Sequence, residues 1–210
     1  MRALLRPSLH IVILAAGFSR RLGQPKALAR VRGVGLLRRT ATLVAPFGDA
    51  PAIVVAPPRA ARFVTALRGL RTEIRANPRR EQGLSSSVRA GLAVARARGA
   101  SAVLFIPVDL AALRARDLER LITAWRDAPR RLVAHRIGVG AGVPLILPRH
   151  LFASAASVRG DSGLKDLARA VAPESRRLVA MRSAVSDVDD AAGLGAARRC
   201  RRATDQPRRK

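Results

Sequence analysis

An α/β domain built on a mostly parallel sheet is the fold class this sequence predicts, on three observations. Short uncharged apolar runs alternate with longer amphipathic segments along most of the chain, the pattern of successive βαβ units. At 210 residues, 49% of them hydrophobic, the chain is long enough for one such domain with a proper core and too short for two large ones. No repeat of fixed period interrupts the alternation.

The elements follow in order. Leu9 to Ala15 is an uncharged β-rich run and reads as a buried parallel strand. Further apolar runs predict strands at Ala52 to Ala56, Thr72 to Ala76, Ala102 to Pro107, Arg131 to His135, Val143 to Leu147 and Arg177 to Arg182. The amphipathic segments between them predict helices at Leu36 to Val44, Arg59 to Leu67, Leu84 to Arg98, Arg116 to Trp125, Pro148 to Ala155, Gly163 to Val171 and Asp190 to Arg199. Residues 1–197 are therefore expected to form one domain. Residues 198–210, rich in arginine and poor in apolar side chains, are expected to form a disordered basic tail. Parallel connections are right-handed, so the loops that follow the strands gather on one edge, where ligands bind.

Composition narrows the function. A net charge of +26 would ordinarily point to nucleic acid or an anionic surface. The charge is nearly all arginine, with Lys26, Lys165 and Lys210 as the lysines, and it is spread along the chain, so a diffuse basic surface is expected and specific nucleic-acid binding is not. No apolar stretch reaches the ~18–20 residues of a membrane span. The N-terminal Met-Arg-Ala-Leu-Leu-Arg-Pro and the run after it superficially resemble a signal peptide, but cleavage there would remove a core strand. With Cys200 as its single cysteine, the chain has no internal disulfide, and a cytoplasmic location is expected. His10, His135 and His150 lack metal-ligand spacing.

The chemistry concentrates where the first strand ends. Residues 11 to 26, Ile-Val-Ile-Leu-Ala-Ala-Gly-Phe-Ser-Arg-Arg-Leu-Gly-Gln-Pro-Lys, lead from an apolar strand into a glycine-punctuated loop that carries Arg20, Arg21 and Lys26. Gly17 and Gly23 permit close approach of the backbone to a phosphate, and the cations supply charge. The spacing is neither the dinucleotide G-x-G-x-x-G nor a P-loop. Val103 to Asp109 is a second buried strand, with a carboxylate at its carboxyl end. Magnesium bridging triphosphate oxygens needs one or two such carboxylates plus water. A cap on the following helix is the structural alternative.

Leu14, Ala15, Ala16, Gly17, Ser19, Arg21, Gly23 and Lys26, taken together, closely resemble the L-A-A-G-x-S-x-R-x-G-x-x-K signature of the MobA-like NTP transferases, the branch that includes molybdenum cofactor cytidylyltransferases. The resemblance extends to about residue 197. Asn77, Gly83 and Ser87, within the segment Asn77 to Val88, are similar to the family's element beneath the nucleotide base. Gly142 to Ile146 and Arg159 to Gly163 resemble its turns towards the second substrate. Ser186 to Asp190 resembles its terminal paired carboxylates. Where the family usually has proline two residues after the aspartate, this chain has Ala111, which leaves the carboxylate in place and puts the loop geometry in question.

That resemblance implies a three-layer, Rossmann-like nucleotidyltransferase fold and a defined reaction. The phosphate of molybdopterin-bound molybdenum attacks the α-phosphorus of CTP, and pyrophosphate leaves. Leu14, Ala15, Ala16, Gly17, Ser19 and Gly23 line the nucleotide. Arg21 and Lys26 stabilise the triphosphate and the leaving pyrophosphate, and Asp109 with Asp189 holds Mg2+, for which Mn2+ is an alternative. Asn77, Gly83 and Ser87 address base and ribose, the free N–H groups at the start of that helix included. The finished cofactor would pass to a molybdoenzyme or its maturation factor. CTP rests on Ala16, since the guanylyl branch usually shows Leu-Ala-Gly-Gly; GTP, or a sugar- or alcohol-phosphate acceptor, is the alternative within the fold. A noncatalytic protein that binds an anionic cofactor or nucleic acid through its arginines is the alternative from another class.

Overall fold

The computed structural model describes residues 7–17, 25–160 and 163–181. Its strands are β1 (Leu9–Leu14), β2 (Arg30–Val31), β3 (Val34–Gly35), β4 (Ala52–Ala56), β5 (Thr72–Ala76), β6 (Ala102–Pro107), β7 (Leu132–Ile137), β8 (Gly140–Pro148) and β9 (Arg176–Val179). The helices are α1 (Leu36–Val44), α2 (Ala61–Leu67), α3 (Leu84–Ala97), α4 (Ala115–Asp127), α5 (Phe152–Ser157) and α6 (Gly163–Ala170). The anticipated helix at 190–199, the basic tail and the carboxylates Asp187, Asp189 and Asp190 lie outside the described residues.

Seven of these strands form one sheet in the order β5-β4-β1-β6-β8-β7-β9. Strands β5, β4, β1 and β6 are mutually parallel, and β7 pairs in parallel with β9. Strand β8 runs against both of its neighbours. The cause is the link before it: only Gly138 and Val139 separate β7 from β8, whereas a parallel return needs a crossover of about a dozen residues or more. Gly138, at φ 56°, supplies the left-handed turn geometry, and the hairpin lays β8 between β7 and β6.

The sheet is covered on both faces, giving three layers. Strand β1 is buried along its whole length, and its side chains alternate. Leu9, Ile11 and Ile13 pack with Leu36, Leu37, Phe63, Leu118 and Trp125 of α1, α2 and α4. Val12 and Leu14 pack with Val88, Leu92, Phe152 and Leu164 of α3, α5 and α6. A strand buried on both faces reads as continuous apolar sequence, which is why β1, β4 and β6 are so plain in the chain.

Several element boundaries depart from the sequence reading. Helix α2 starts at Ala61, because Arg59 holds φ 59° and cannot join a right-handed helix. Strand β8 runs on to Pro148, so the segment expected to be helical from there is instead a 3-10 turn, Arg149–Leu151, followed by α5. Helix α4 is longer than expected at both ends, and β9 begins at Arg176 and ends at Val179. The small hairpin β2–β3 was not anticipated. Arg32 and Gly33 turn it at φ 53° and 81°, the two positive angles of a type I′ turn.

Gly91 lets α3 approach the sheet. A Cβ there would lie 2.4 Å from Val12 Cγ1 and 3.1 Å from Val55 Cγ2, and both valines are wedged in central strands with no exposure. Gly91→Val is therefore expected to cost about 2–3 kcal/mol by overpacking, measured as a lower denaturation midpoint in urea. An unchanged midpoint would mean that α3 can ride outward without penalty.

His10 makes the fold sensitive to acid. It is buried on β1, and its Nδ1 has no hydrogen-bond partner among the described residues. Burial, and next the Arg98 guanidinium, hold its pKa below the ordinary 6.5, against a smaller upward pull from Asp49. The unfolded chain takes up this proton near pH 6.5 while the folded chain refuses it, so stability falls as pH drops from 6.5 towards the depressed folded value. Urea titrations at pH 7.5 and 5.5 are expected to show a smaller acid loss in His10→Leu than in the parent; equal losses in both would discard the assignment.

Candidate active site

Four parallel strands deliver their carboxyl ends to one edge, and the backbone ties those ends together. Ala15 N–H donates to the Val55 carbonyl at 2.9 Å, Val108 N–H to the Leu14 carbonyl at 3.2 Å, and Asn77 N–H to the Ala56 carbonyl at 2.8 Å. Leu14, Ala15 and Ala16 are buried at this junction. Gly17 then emerges into the open: a Cβ built on it would meet no heavy atom of the described residues within 4 Å, and its φ lies outside the left-handed range. Nothing among the described residues thus demands glycine at 17. Ser19, Arg21 and Gly23 lie outside the described residues.

The chain returns to this edge at Lys26, the first residue of a 3-10 turn anchored by buried Ala27. Its Nζ donates to Asp109 Oδ2 at 2.8 Å, with the two side chains 17% and 25% exposed. Residues 83 apart in sequence are thereby brought together, and water still reaches both. Asp109 does not cap α4, the helix that follows it: the N-cap is Arg114, with Asp117 Oδ2 accepting its N–H at 3.3 Å. The carboxylate is paired with Lys26 instead, and it belongs to a loop whose other members, Val108, Leu110 and Ala111, are buried.

A single accessible hard-oxygen ligand of this kind suits magnesium or manganese, which keep several waters and substrate phosphates in their coordination shell. Among the described residues no group of three or more metal-ligating side chains gathers. Asp189 lies outside the described residues.

Asn77, Gly83 and Ser87 come together on the other side of the edge, in a network turned inward. Asn77, 3% exposed, donates from Nδ2 to Ser86 Oγ at 2.8 Å and to Ser87 Oγ at 3.0 Å, and its Oδ1 accepts the Arg79 N–H at 3.0 Å. Ser86 Oγ in turn donates to the Gly83 carbonyl at 2.8 Å. Gly83 adopts φ 83°, ψ −175°, a conformation essentially confined to glycine, and so turns the chain into α3. The helix N–H groups expected to face a base are partly used already. Ser85 N–H donates to the Gly160 carbonyl at 3.1 Å and Ser86 N–H to Gly83 at 3.2 Å.

A family model described as the MobA-like NTP transferase domain matches residues 11–178. The chain belongs to this family. A probable molybdenum cofactor guanylyltransferase of Opitutus terrae is 31% identical over 127 residues, so that the match spans 60% of this chain and 60% of the relative's own length. Among solved structures, a nucleotidyl transferase from Methanothermobacter superposes with a TM-score of 0.74 at 21% identity, covering 91% of this chain and 96% of that one. Rv0371c of Mycobacterium tuberculosis H37Rv gives 0.71 at 24% identity, covering 91% and 98%. A manganese complex of the same protein gives 0.66 at 23%, covering 90% and 97%. At these identities the likenesses establish the fold.

Two residues that the motifs did not flag also fasten loops at this edge. Arg89 on α3 donates to Ser85 Oγ at 3.2 Å and to the Val158 carbonyl at 2.7 Å, fastening the start of α3 to the loop after α5. Arg39 on α1 donates from Nε to the Ala111 carbonyl at 3.0 Å. In an arginine-rich chain neither has a local signal that sets it apart. The weaker motif Gly142 to Ile146 lies on β8, whose first residues reach the same edge as Asp109 because Leu145 pairs with Phe105 of β6. Gly160 lies against α3 through its carbonyl, and its neighbours Asp161 and Ser162 lie outside the described residues.

Proposed function

We propose that this chain transfers a nucleotidyl group from CTP to the phosphate of a molybdopterin-type cofactor, releasing pyrophosphate. The observation that carries the reading is the partly accessible Lys26–Asp109 pair, one cation and one carboxylate brought together at the sheet edge where the chain leaves β1 and β6. An acceptor phosphate oxygen attacks the α-phosphorus. The new P–O bond forms as the bond from the α-phosphorus to the bridging oxygen breaks, and the electron pair leaves with pyrophosphate.

Such a displacement asks the protein chiefly for positioning and charge neutralisation. Gly17 and Gly23 receive phosphates along the backbone, Ser19 through its hydroxyl. Lys26 and Arg21 neutralise the charge that grows on the leaving pyrophosphate. Asp109, with Asp189, would hold Mg2+ or Mn2+, which when bound polarises the phosphoryl oxygens and offsets their charge. Asn77 works by position, since its amide hydrogens are spent on Ser86 and Ser87; it presents Ser87 and the Gly83 turn to base and ribose. The proposed catalytic domain is residues 1–197, with 198–210 a separate tail. Cytoplasmic synthesis, with delivery to a molybdoenzyme or its maturation factor, belongs to the same proposal; no described helix is long and apolar enough to cross a membrane.

CTP is supported by Ala16, and GTP by the name of the Opitutus relative. Pyrophosphate release by the purified chain with Mg2+, measured with CTP and with GTP, with and without molybdenum cofactor, decides between them. Cofactor-dependent release with CTP is the expected result. A preference for GTP overturns the argument from Ala16 alone, and absence of release with either nucleotide overturns the reaction.

A further inference from the structure

The loop that presents Asp109 contains neither proline nor glycine from Val108 to Ala111, so its shape is held by bonds to the rest of the protein. Upstream of the carboxylate, Val108 N–H is fixed to the Leu14 carbonyl of β1. Downstream, Ala111 N–H folds back onto the Asp109 carbonyl at 2.8 Å, and the Ala111 carbonyl accepts the Arg39 Nε hydrogen at 3.0 Å. Asp109 thus sits between one tether to β1 and one to α1. Arg39 is itself well seated, because Leu36, Leu37, Thr40, Ala41 and Val44 bury the rest of its helix against the sheet.

We propose that Arg39 is a positioning residue for the reaction: through the Ala111 carbonyl it sets where the Asp109 carboxylate stands, and so the affinity of the site for a divalent cation. Arg39 need not touch the cation or the substrate. Groups one step removed from a metal ligand commonly change metal affinity by about 10–100-fold when lost. The inference rests on the reading of Asp109 as a cation ligand.

Three variants of the full chain, titrated with Mn2+ alone and followed by the EPR signal of the free ion, test it. Asp109→Asn is expected to lose Mn2+ binding. Arg39→Met keeps the aliphatic stem and removes the donor, and is expected to weaken Mn2+ by about 10-fold. Arg39→Gln places an amide nitrogen on Cδ, at the position of Nε, while discarding the guanidinium; it is expected to bind within about threefold of the parent, well short of the loss in Arg39→Met. A merely structural arginine would not yield that rescue. Parent-like binding by Arg39→Met, with binding lost in Asp109→Asn, overturns the role of Arg39 alone, as does equal weakening in the Met and Gln variants. Parent-like binding by Asp109→Asn, or no Mn2+ binding by the parent itself, overturns the Asp109 reading and with it this one. If Arg39→Met does not fold, Arg39→Lys decides: it keeps the charge but moves the donor one bond outward, so it should bind more weakly than Arg39→Gln, and the reverse order overturns the proposal.

Discussion

Lys26→Ala is expected to slow pyrophosphate release by about 10²–10³-fold, the usual loss when one preorganised charge-stabilising donor is removed, while barely moving the melting temperature. The two halves of that expectation come from the same geometry. Lys26 and Asp109 are 17% and 25% exposed, so water screens their attraction and rehydrates the carboxylate once the lysine is gone; pairs of this kind contribute about 1 kcal/mol or less to stability. In the proposed reaction the lysine would face charge that grows on the departing pyrophosphate, where no water can be placed as accurately. Turnover and melting temperature measured on the same preparation separate the effects. A rate equal to the parent's would remove Lys26 from the mechanism, and a large fall in melting temperature would reassign it to the fold.

Asp109→Asn is expected to lose more activity than the ~10–100-fold typical of groups one step removed from a metal, with the Mg2+ concentration needed for half-maximal rate shifted upward. Asparagine keeps the size and hydrogen-bonding shape of the side chain and removes the charge. It also discriminates sharply between roles, because asparagine and aspartate are about equally good helix N-caps, so a purely structural Asp109 would tolerate the change. The helix that follows is capped at Arg114 instead, which already separates Asp109 from that duty. The rate as a function of Mg2+ concentration is the measurement, and a curve superimposable on the parent's would sink the assignment.

Strands β4, β5 and β6 and helix α1 fall at the residues their sequence pattern indicates, Ala52–Ala56, Thr72–Ala76, Ala102–Pro107 and Leu36–Val44. Hydrophobic periodicity is a property of neighbouring residues, so it survives in the chain whatever the rest of the fold does. The glycine, cation and carboxylate candidates are likewise named from the sequence, because their chemistry is carried by residue type. Together, the α/β class, the mostly parallel sheet and the candidacy of Gly17, Lys26 and Asp109 needed nothing beyond the sequence.

Only the tertiary structure decided which of these residues meet. The reversal of β8 between β6 and β7 depends on a two-residue link whose geometry alternation of apolar runs does not encode. The inward turn of the Asn77 amide, the grip of Arg39 on the Ala111 carbonyl and the Lys26–Asp109 pair each join residues on different elements. Such contacts depend on strand order and on how closely a helix can approach the sheet, as Gly91 permits for α3. Residue type determines what a side chain can do, whereas the partner it does it with is set by packing over the whole chain.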